Sequence, residues 1–150
     1  MRLKQELENQ LESERLKIGQ VAKLTSLPVK TIRYYDDLEL LSPHVTRNES
    51  GYRLFTSQVI NRLSFIKRSQ SLGLTLEEIK EILSVYDRGE VPCGVAKQLL
   101  TDKLAEIEAK IEKLTVLKSE LQGIISGWQD LQSVDLVGNS ICPNISNQIV

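Results

Sequence analysis

The sequence contains few of the residues on which catalytic and metal centres usually rely. It has one histidine, His44, and two cysteines, Cys93 and Cys142, which are 49 positions apart and belong to no C-x-x-C pair. There is no glycine-rich phosphate loop, and no histidine is paired with a nucleophile. These absences argue against an enzyme. His44 lies far in sequence from both cysteines and is interpreted as a solvated loop residue.

The sequence also lacks an apolar run long enough to span a bilayer. Its first fifteen residues alternate charged and polar side chains, which is unlike a signal peptide. We therefore expect a cytoplasmic protein with no membrane partner. In that compartment the two cysteines are expected to be reduced rather than joined in a structural disulfide.

Positive charge is unevenly distributed along the 150 residues. The formal net charge is −1, yet residues 16–85 hold ten Lys and Arg against seven Asp and Glu, a net charge of +3 for that segment. The remainder of the chain is therefore at −4. A basic segment is what a protein needs to displace the counterions that surround a nucleic acid.

Residues 18–41 have the pattern of two short helices separated by a break at Ser26-Leu27-Pro28, where Pro28 suits the first position of the second helix. Two helices across a tight turn predict a helix-turn-helix, although many helical hairpins in ordinary cores look alike. The second helix is expected to bury Ile32 and Leu38. It would direct a mixture of cations, a hydroxyl and an aromatic ring towards phosphates and base edges in a major groove. These candidate DNA-binding residues are Lys30, Thr31, Arg33 and Tyr34.

The segment from Val45 to Tyr52 predicts a wing, which is a tight turn between two short extended arms. Arg47 near its tip and Arg53 after it are placed to hold phosphates that flank the groove, and Tyr52 is placed to donate its hydroxyl to the DNA backbone. Arg47 is equally well interpreted as a solvated turn residue.

Longer helices follow the predicted wing. One begins near Thr56 and ends at Leu72-Gly73, and the next is capped by Thr75 in a capping box with Glu78. The longest predicted helix covers about residues 95–128. Its apolar residues follow 4-3-4-3 spacing, interrupted at Lys118, and a seam of this kind needs a partner, either a second copy or the amino-terminal half of the same chain. The seam consists of Leu100, Leu104, Ile107, Ile111, Leu114, Leu121, Ile125 and Trp128.

Three motifs in this order resemble the MerR family of bacterial transcription regulators. They are VAKLTSLPVKTIRYYDDLELLSP from Val21, GYRLF from Gly51 and LGLTLEEI from Leu72. The resemblance covers about residues 16–142. It implies a mostly α fold, in which a winged helix-turn-helix DNA-binding domain is followed by a long antiparallel coiled-coil dimerisation helix. It also implies a homodimer on double-stranded promoter DNA that acts with RNA polymerase.

The resemblance divides the chain into five parts. An extension at residues 1–15 has no assigned role, and the DNA-binding domain covers residues 16–85. A hinge at residues 86–94 leads to the coiled-coil helix at residues 95–131, and an effector loop and tail occupy residues 132–150.

In the metal-responsive branch of the MerR family, a cysteine at the start of the long helix and cysteines in the following loop bind the effector across the dimer. By its place Cys93 resembles the first of these, and Cys142 in ICPNI resembles the last. The middle cysteine is missing, because Trp128 or a close neighbour holds its place. The implied effector is a thiolate-bound metal ion of the Hg, Cu or Zn class. Two thiolates suffice for a linear soft cation such as Hg(II) or Cu(I), whereas Zn(II) needs further donors.

The helix between the two cysteines has some thirty residues, roughly 45 Å at 1.5 Å per residue. An antiparallel pair would therefore bring Cys93 of one subunit near Cys142 of its partner. Four alternatives remain open from the sequence. Each cysteine can be a small apolar residue; the pair can sense thiol redox state through a disulfide; the effector can be a small organic ligand; or the coil alone can serve as an interaction module.

Overall fold

The computed structural model describes residues 2–6, 14–132 and 140–146. The chain divides into two compact units, Met1–Leu100 and Thr101–Val150. Residues 2–6 are helical. Most of the amino-terminal extension and most of the predicted effector loop and tail lie outside the described residues. Among the residues described, no helix is long and apolar enough to cross a membrane.

The first unit is a small three-stranded sheet surrounded by helices. The antiparallel strands lie in the order β1-β3-β2. In chain order the elements are β1 (Leu16–Lys17), α1 (Ile18–Thr25), α2 (Val29–Asp37), β2 (Val45–Arg47), β3 (Arg53–Phe55), α3 (Gln58–Ser71) and α4 (Leu76–Asp87).

Helices α1 and α2 form the predicted helix-turn-helix. The side chain of Gln20 accepts a hydrogen bond of 2.8 Å from the backbone N–H of Lys17, which satisfies one donor at the start of α1. Ser26 ends α1 in the left-handed conformation, at φ 55°. The prediction that Pro28 is the first helical residue was wrong by one position. Its ψ of 143° makes it the extended residue that precedes α2.

The predicted wing is confirmed, and the structure adds one strand to it. Strands β2 and β3 are joined by the turn at residues 48–52, where Gly51 has a φ of 81°. The added strand β1 pairs Leu16 with Phe55 and Lys17 with Leu54. Two residues are too few to show an alternating pattern, so β1 could not be predicted from the sequence.

Helices α3 and α4 lie close to their predicted positions. Helix α3 begins at Gln58, two residues after the predicted start. The capping box of α4 is present: the Thr75 hydroxyl accepts from the Glu78 N–H at 3.2 Å, and the Glu78 carboxylate accepts from the Thr75 N–H at 2.8 Å. Two donors at the start of α4 are thereby satisfied within the chain.

One apolar core holds these elements together. It takes residues from both helices of the helix-turn-helix, from strand β3 of the wing and from α3 and α4. The side chains that are fully or almost fully buried include Val21, Ile32, Leu40, Leu41, Phe55, Val59, Leu63, Ile66, Ile79 and Ile82.

The longest helix, α5 (Cys93–Ser126), begins and ends two residues before the predicted bounds of 95–128, and it ends five residues before the predicted end of the coiled-coil segment at residue 131. Cys93 is therefore its first residue, and Trp128 lies just beyond its end. Val95, Ala96 and Leu99 in its first turns pack against the core of the first unit. No residue of α5 is fully buried, and the seam residues from Leu100 to Ile125 are 39% to 69% exposed. The seam therefore presents an apolar face that the described part of the chain does not cover.

The short helix α6 (Pro143–Ser146) follows directly after Cys142 and belongs to the second unit.

The capping box gives a direct test of the first unit's stability. Thr75→Ala removes the hydroxyl that accepts from Glu78, and we expect it to lower the free energy of unfolding by about 1 kcal/mol. Ser64→Ala, at an exposed position within α3, is the control and should change stability by less than about 0.5 kcal/mol. Urea unfolding of both variants measures the difference; equal stabilities would show that the cap contributes nothing.

Candidate nucleic-acid interface and thiol sites

The outward face of α2 carries the residues predicted to read DNA. Lys30 and Arg33 are exposed, Tyr34 is 53% exposed and Thr31 is half-buried. On the opposite face Ile32 and Tyr35 are buried, and the Tyr35 hydroxyl donates to Oε1 of Gln70 at 2.6 Å. Burial raises the pKa of Tyr35. The buried face fixes the rotation of α2, so that its cations face solvent.

The wing turn is organised by its own polar groups. The Asn48 side chain accepts from the Tyr52 N–H at 2.9 Å, and the Arg47 guanidinium donates to the Gly51 carbonyl at 2.8 Å. The Tyr52 side chain is left 70% exposed. Tyr52 is therefore presented on a rigid turn, as phosphate contact would require. Arg47 already has one partner within the wing.

A groove of about 770 Å³ lies between the start of α1, α2 and the wing. Arg33, Tyr52 and Arg53 line it together, so the structure brings these three predicted residues into one site. Lys30, Thr31, Tyr34 and Arg47 are not part of its lining. The sequence prediction missed Lys17 and Lys23, which also line it. No acidic residue lines the groove, so its charge is suited to an anion.

Arg53 joins the wing to the end of α2. Its Nε donates to Asp36 at 2.6 Å and its Nη2 donates to Asp37 at 2.9 Å. The side chain of Arg53 is only 15% exposed, and that of Asp36 is 20% exposed. Its charge is thus already compensated inside the protein, which makes Arg53 a residue that orients the wing as well as a lining residue of the groove.

The sequence prediction also missed a buried arginine in α3. The side chain of Arg62 is 5% exposed, and it makes a two-pronged ion pair with Asp87 at 2.7 and 2.8 Å. Its Nε donates to the carbonyl of Leu40. A signal was available, because Arg62 lies on the same helical stripe as Val59, Leu63 and Ile66, where a charged residue must find partners.

His44 is half-buried beside this arginine, so its interpretation as a solvated residue was wrong. Its Nδ1 lies 3.1 Å from Oγ1 of Thr56, because the loop after α2 folds back onto the start of α3. Together with Arg62, Phe65 and Tyr86 it lines a cavity of about 400 Å³. Burial lowers the pKa of His44, the Arg62 charge lowers it further, and Asp87 opposes both effects.

Each thiol lies in a different unit. Cys93 is exposed at the first position of α5. Cys142 is half-buried and lines a cavity of about 320 Å³ with Trp128. Neither forms a disulfide.

The Asn144 side chain fastens the segment that carries Cys142. Asn144 accepts from the Gln129 N–H and donates to the Gln129 carbonyl, both at 2.9 Å. Its amide thus pairs with Gln129 as a backbone unit would, and it holds Cys142 close to the segment that follows α5.

The donors present set limits on the metal that this chain is able to hold. Among the described residues, no three His, Cys, Asp or Glu side chains are grouped so that they could hold an ion. Zn(II) ordinarily takes four ligands, whereas a linear soft cation takes two thiolates. Within one chain the described residues form no such ligand set, and the two thiols lie in different units.

Two family models match the chain. The model described as "MerR HTH family regulatory protein" matches residues 16–85, and the one described as "MerR, DNA binding" matches residues 60–124. Together they cover the groove, the buried arginine and most of α5.

Known proteins show the same similarity. The mercuric resistance operon regulatory protein of Bacillus cereus is 39% identical over 110 residues, which is 73% of this chain and 83% of that protein. PbrR691 from Ralstonia metallidurans CH34, solved with lead(II), is 31% identical with a TM-score of 0.68, over 80% of this chain and 93% of that one. MerR from Bacillus megaterium MB1, solved with mercury(II), is 32% identical with a TM-score of 0.57, over 85% of this chain and 93% of that one.

The surroundings of His44 predict an acid-sensitive fold. The folded-state pKa of His44 lies below its ordinary value of 6.5, so below that pH the unfolded chain binds the proton more readily than the folded one. The free energy of unfolding should therefore fall as the pH is lowered from 7.5 to 5.5. In His44→Asn this fall should be smaller, as measured by urea unfolding at both pH values.

A second decrease is expected at lower pH from Asp87, whose pKa the hydrogen bonds from Arg62 hold below its ordinary value of 3.8. Its contribution is present above pH 3.8 and is lost as the pH falls through the folded-state pKa.

If His44→Asn shows the same loss of stability between pH 7.5 and 5.5 as the unaltered protein, His44 is not the group responsible.

Proposed function

The chain belongs to the MerR family of helix-turn-helix transcription regulators, and from this we propose that it is a dimeric regulator that responds to a thiophilic metal ion by distorting promoter DNA. The observation that carries the DNA-binding part is the groove, which is lined by Lys17, Lys23, Arg33 and Arg53 and by no acid. The exposed face of α2 continues this basic surface. As in its relatives, the activity is regulation and not catalysis.

We propose that α2 enters the major groove of one half-site while the wing holds the flanking phosphates. Lys30, Thr31, Arg33 and Tyr34 face the base edges and nearby phosphates, and Arg47 and Tyr52 contact the backbone. Arg53 also belongs to this surface, and its pairing with Asp36 sets the angle of the wing.

The dimer is proposed because α5 exposes its apolar seam. The seam has the 4-3 spacing of a coiled coil. Its side chains, such as Ile111 and Leu114 at 57% and 63% exposure, are not covered by the described part of the chain. A second copy in antiparallel orientation would bury both seams at once and relate two half-sites by a twofold axis.

The effector site is proposed to combine Cys93 of one subunit with Cys142 of its partner. Two thiolates, each losing its proton as the metal binds, suit a linear soft ion. The support is the exposed position of Cys93 at the start of α5, the held position of Cys142, and the lead and mercury complexes of two similar proteins.

The response is proposed to work through the shape of DNA. Metal binding favours one of two settings of the two DNA-binding units in the dimer. The favoured setting bends and undertwists the promoter spacer, so that RNA polymerase engages both promoter elements. We place this function in the cytoplasm, where promoter DNA and polymerase are found.

Arg33 tests the DNA contact. Arg33→Ala should weaken binding to the specific duplex by about 1–3 kcal/mol if the guanidinium contacts a base, with little change on a random duplex. Arg88→Ala removes an equal charge from an exposed arginine that pairs with Glu90, and it serves as the control. Fluorescence anisotropy at fixed salt gives both affinities. Unchanged affinity for Arg33→Ala would remove Arg33 from the interface, and equal loss on both duplexes would make it a phosphate contact.

Ile111 tests the coil. Ile111→Asp places a charge in the middle of the seam, so we expect sedimentation velocity to show a monomer that no longer binds paired half-sites. Ala109→Asp adds the same charge at an exposed position of α5 outside the seam and should leave a dimer. A dimer with Ile111→Asp would place the interface elsewhere.

The two cysteines test the metal site. Native mass spectrometry of the reduced dimer should show two Hg(II) ions, and Cys93→Ser and Cys142→Ser should each abolish this binding while leaving DNA affinity unchanged. Trp128 is the only tryptophan in the chain and lines the same cavity as Cys142, so its fluorescence should report Hg(II) binding.

A mixed dimer distinguishes a shared site from two separate ones. One Cys93→Ser subunit paired with one Cys142→Ser subunit should retain one Hg(II) ion. Retention of none would contradict the cross-subunit site, and a response to diamide but not to Hg(II) would favour redox sensing.

A further inference from the structure

Arg62 occupies a position in the fold that neither DNA contact nor metal binding uses. It lies in the second turn of α3, on the stripe that faces the core. Its guanidinium has two partners that are far apart in the sequence, Leu40 and Asp87. Leu40 is in the loop that follows the DNA-reading helix α2. Asp87 is the last residue of α4.

The segments joined in this way lead to the two proposed sites. Leu40 is fully buried and follows α2 after only two residues, so any movement of α2 must be accommodated there. Asp87 is separated from Cys93 by the five residues 88–92, and Pro92 and Arg62 line the same cavity. The guanidinium therefore bridges the end of the DNA-reading helix and the segment that leads to the proposed effector thiol.

Hydrogen bonds transmit position in a way that apolar contacts do not. Apolar contacts in a close-packed core limit separation but have no preferred direction, whereas a planar guanidinium that binds a carboxylate with two parallel bonds fixes distance and angle together. Three of the five N–H groups of Arg62 are used in this way. The 5% exposure of its side chain keeps water from substituting for either partner.

We infer that Arg62 is the positioning residue that couples the DNA-reading helix α2 to the start of α5, by holding the Leu40 carbonyl and the Asp87 carboxylate in one fixed geometry. A shift of the segment before Cys93 moves Asp87, and through Arg62 it moves the loop that ends α2. The inference concerns communication within one subunit. It rests on the proposed function only in taking DNA and the metal ion as the two ligands that communicate.

Asp87→Asn is the informative variant. It keeps the size of the side chain at a site that is 31% exposed, but it replaces the two-pronged ion pair with at most one acceptor. Arg62→Lys is the second variant, since an ammonium group cannot make the two parallel hydrogen bonds of a guanidinium. Asp87→Glu keeps the carboxylate and serves as the conservative variant.

The chain also offers a matched control. Lys80 and Glu39 form a 3.5 Å ion pair that joins the same two parts of the fold, α4 and the loop after α2, but on the surface, with side chains 52% and 79% exposed. Glu39→Gln removes this pair and should leave the coupling between α2 and the start of α5 intact, because an exposed ion pair contributes little free energy.

The first measurement needs no metal. Amide hydrogen exchange of residues 88–90 is compared in the free dimer and in the dimer bound to promoter duplex. These amides donate to carbonyls in the last turn of α4, so their exchange reports opening of that turn. DNA should slow their exchange at least about fivefold in the unaltered protein and in Glu39→Gln. The slowing should be lost in Asp87→Asn and Arg62→Lys and partly regained in Asp87→Glu.

The second measurement adds Hg(II) and compares duplex affinity with and without the ion. The ratio of the two affinities should fall to within about twofold of one in Asp87→Asn, while the affinity for each ligand alone stays within about twofold of the unaltered protein. A variant that is merely destabilised would change the separate affinities and not their ratio.

The outcomes separate the two claims. Equal slowing by DNA in Asp87→Asn and the unaltered protein, or no slowing in either, overturns the role of Arg62. If the slowing depends on Asp87 but Hg(II) neither binds the unaltered dimer nor changes its duplex affinity, the proposed metal sensing fails and the coupling role of Arg62 stands.

Discussion

Helix α2 and the wing share a single core, and the geometry of the proposed interface depends on that constraint. Ile32 of α2 and Phe55 of β3 are both fully buried in the same cluster. Since protein interiors are close-packed, neither element can rotate without disturbing the other. Arg33 and Tyr52 line one groove because their buried neighbours pack together. The ion pair between Arg53 and Asp36 adds a directional contact to apolar contacts that have no preferred direction.

Helix α5 differs from α2 and β3, which bury apolar side chains in the core, because its own apolar side chains are exposed from Leu100 onward. In a monomer this apolar surface is exposed to water, which costs free energy. Burying the same residues against a partner would recover that free energy. The first turns of α5 instead belong to the core of the DNA-binding unit through Val95, Ala96 and Leu99. One continuous helix thus carries both an internal packing surface and an exposed apolar surface.

The sequence was sufficient where a short stretch determines its own structure. The helix-turn-helix, the capping box of Thr75, the wing turn around Gly51 and the seam of α5 all follow from local spacing and were placed within two residues. The missed features depend on partners distant in the chain. Strand β1 exists only because Leu16 meets Phe55, and Arg62 is accommodated only because Leu40 and Asp87 surround it. His44 was misassigned for the same reason, since its burial depends on the fold around it. The roles of the candidate site residues, including the two cysteines, stay predictions.

The side chain of Asn144 has a consequence for how the Cys142 segment can change over evolutionary time. By holding both backbone groups of Gln129, it fixes the two ends of the intervening stretch independently of what that stretch contains. Once the ends are held, each doubling of the number of residues between them costs only about 0.6 kcal/mol of closure entropy. Changes in the length of the stretch between Gln129 and Asn144 are therefore expected to cost little stability.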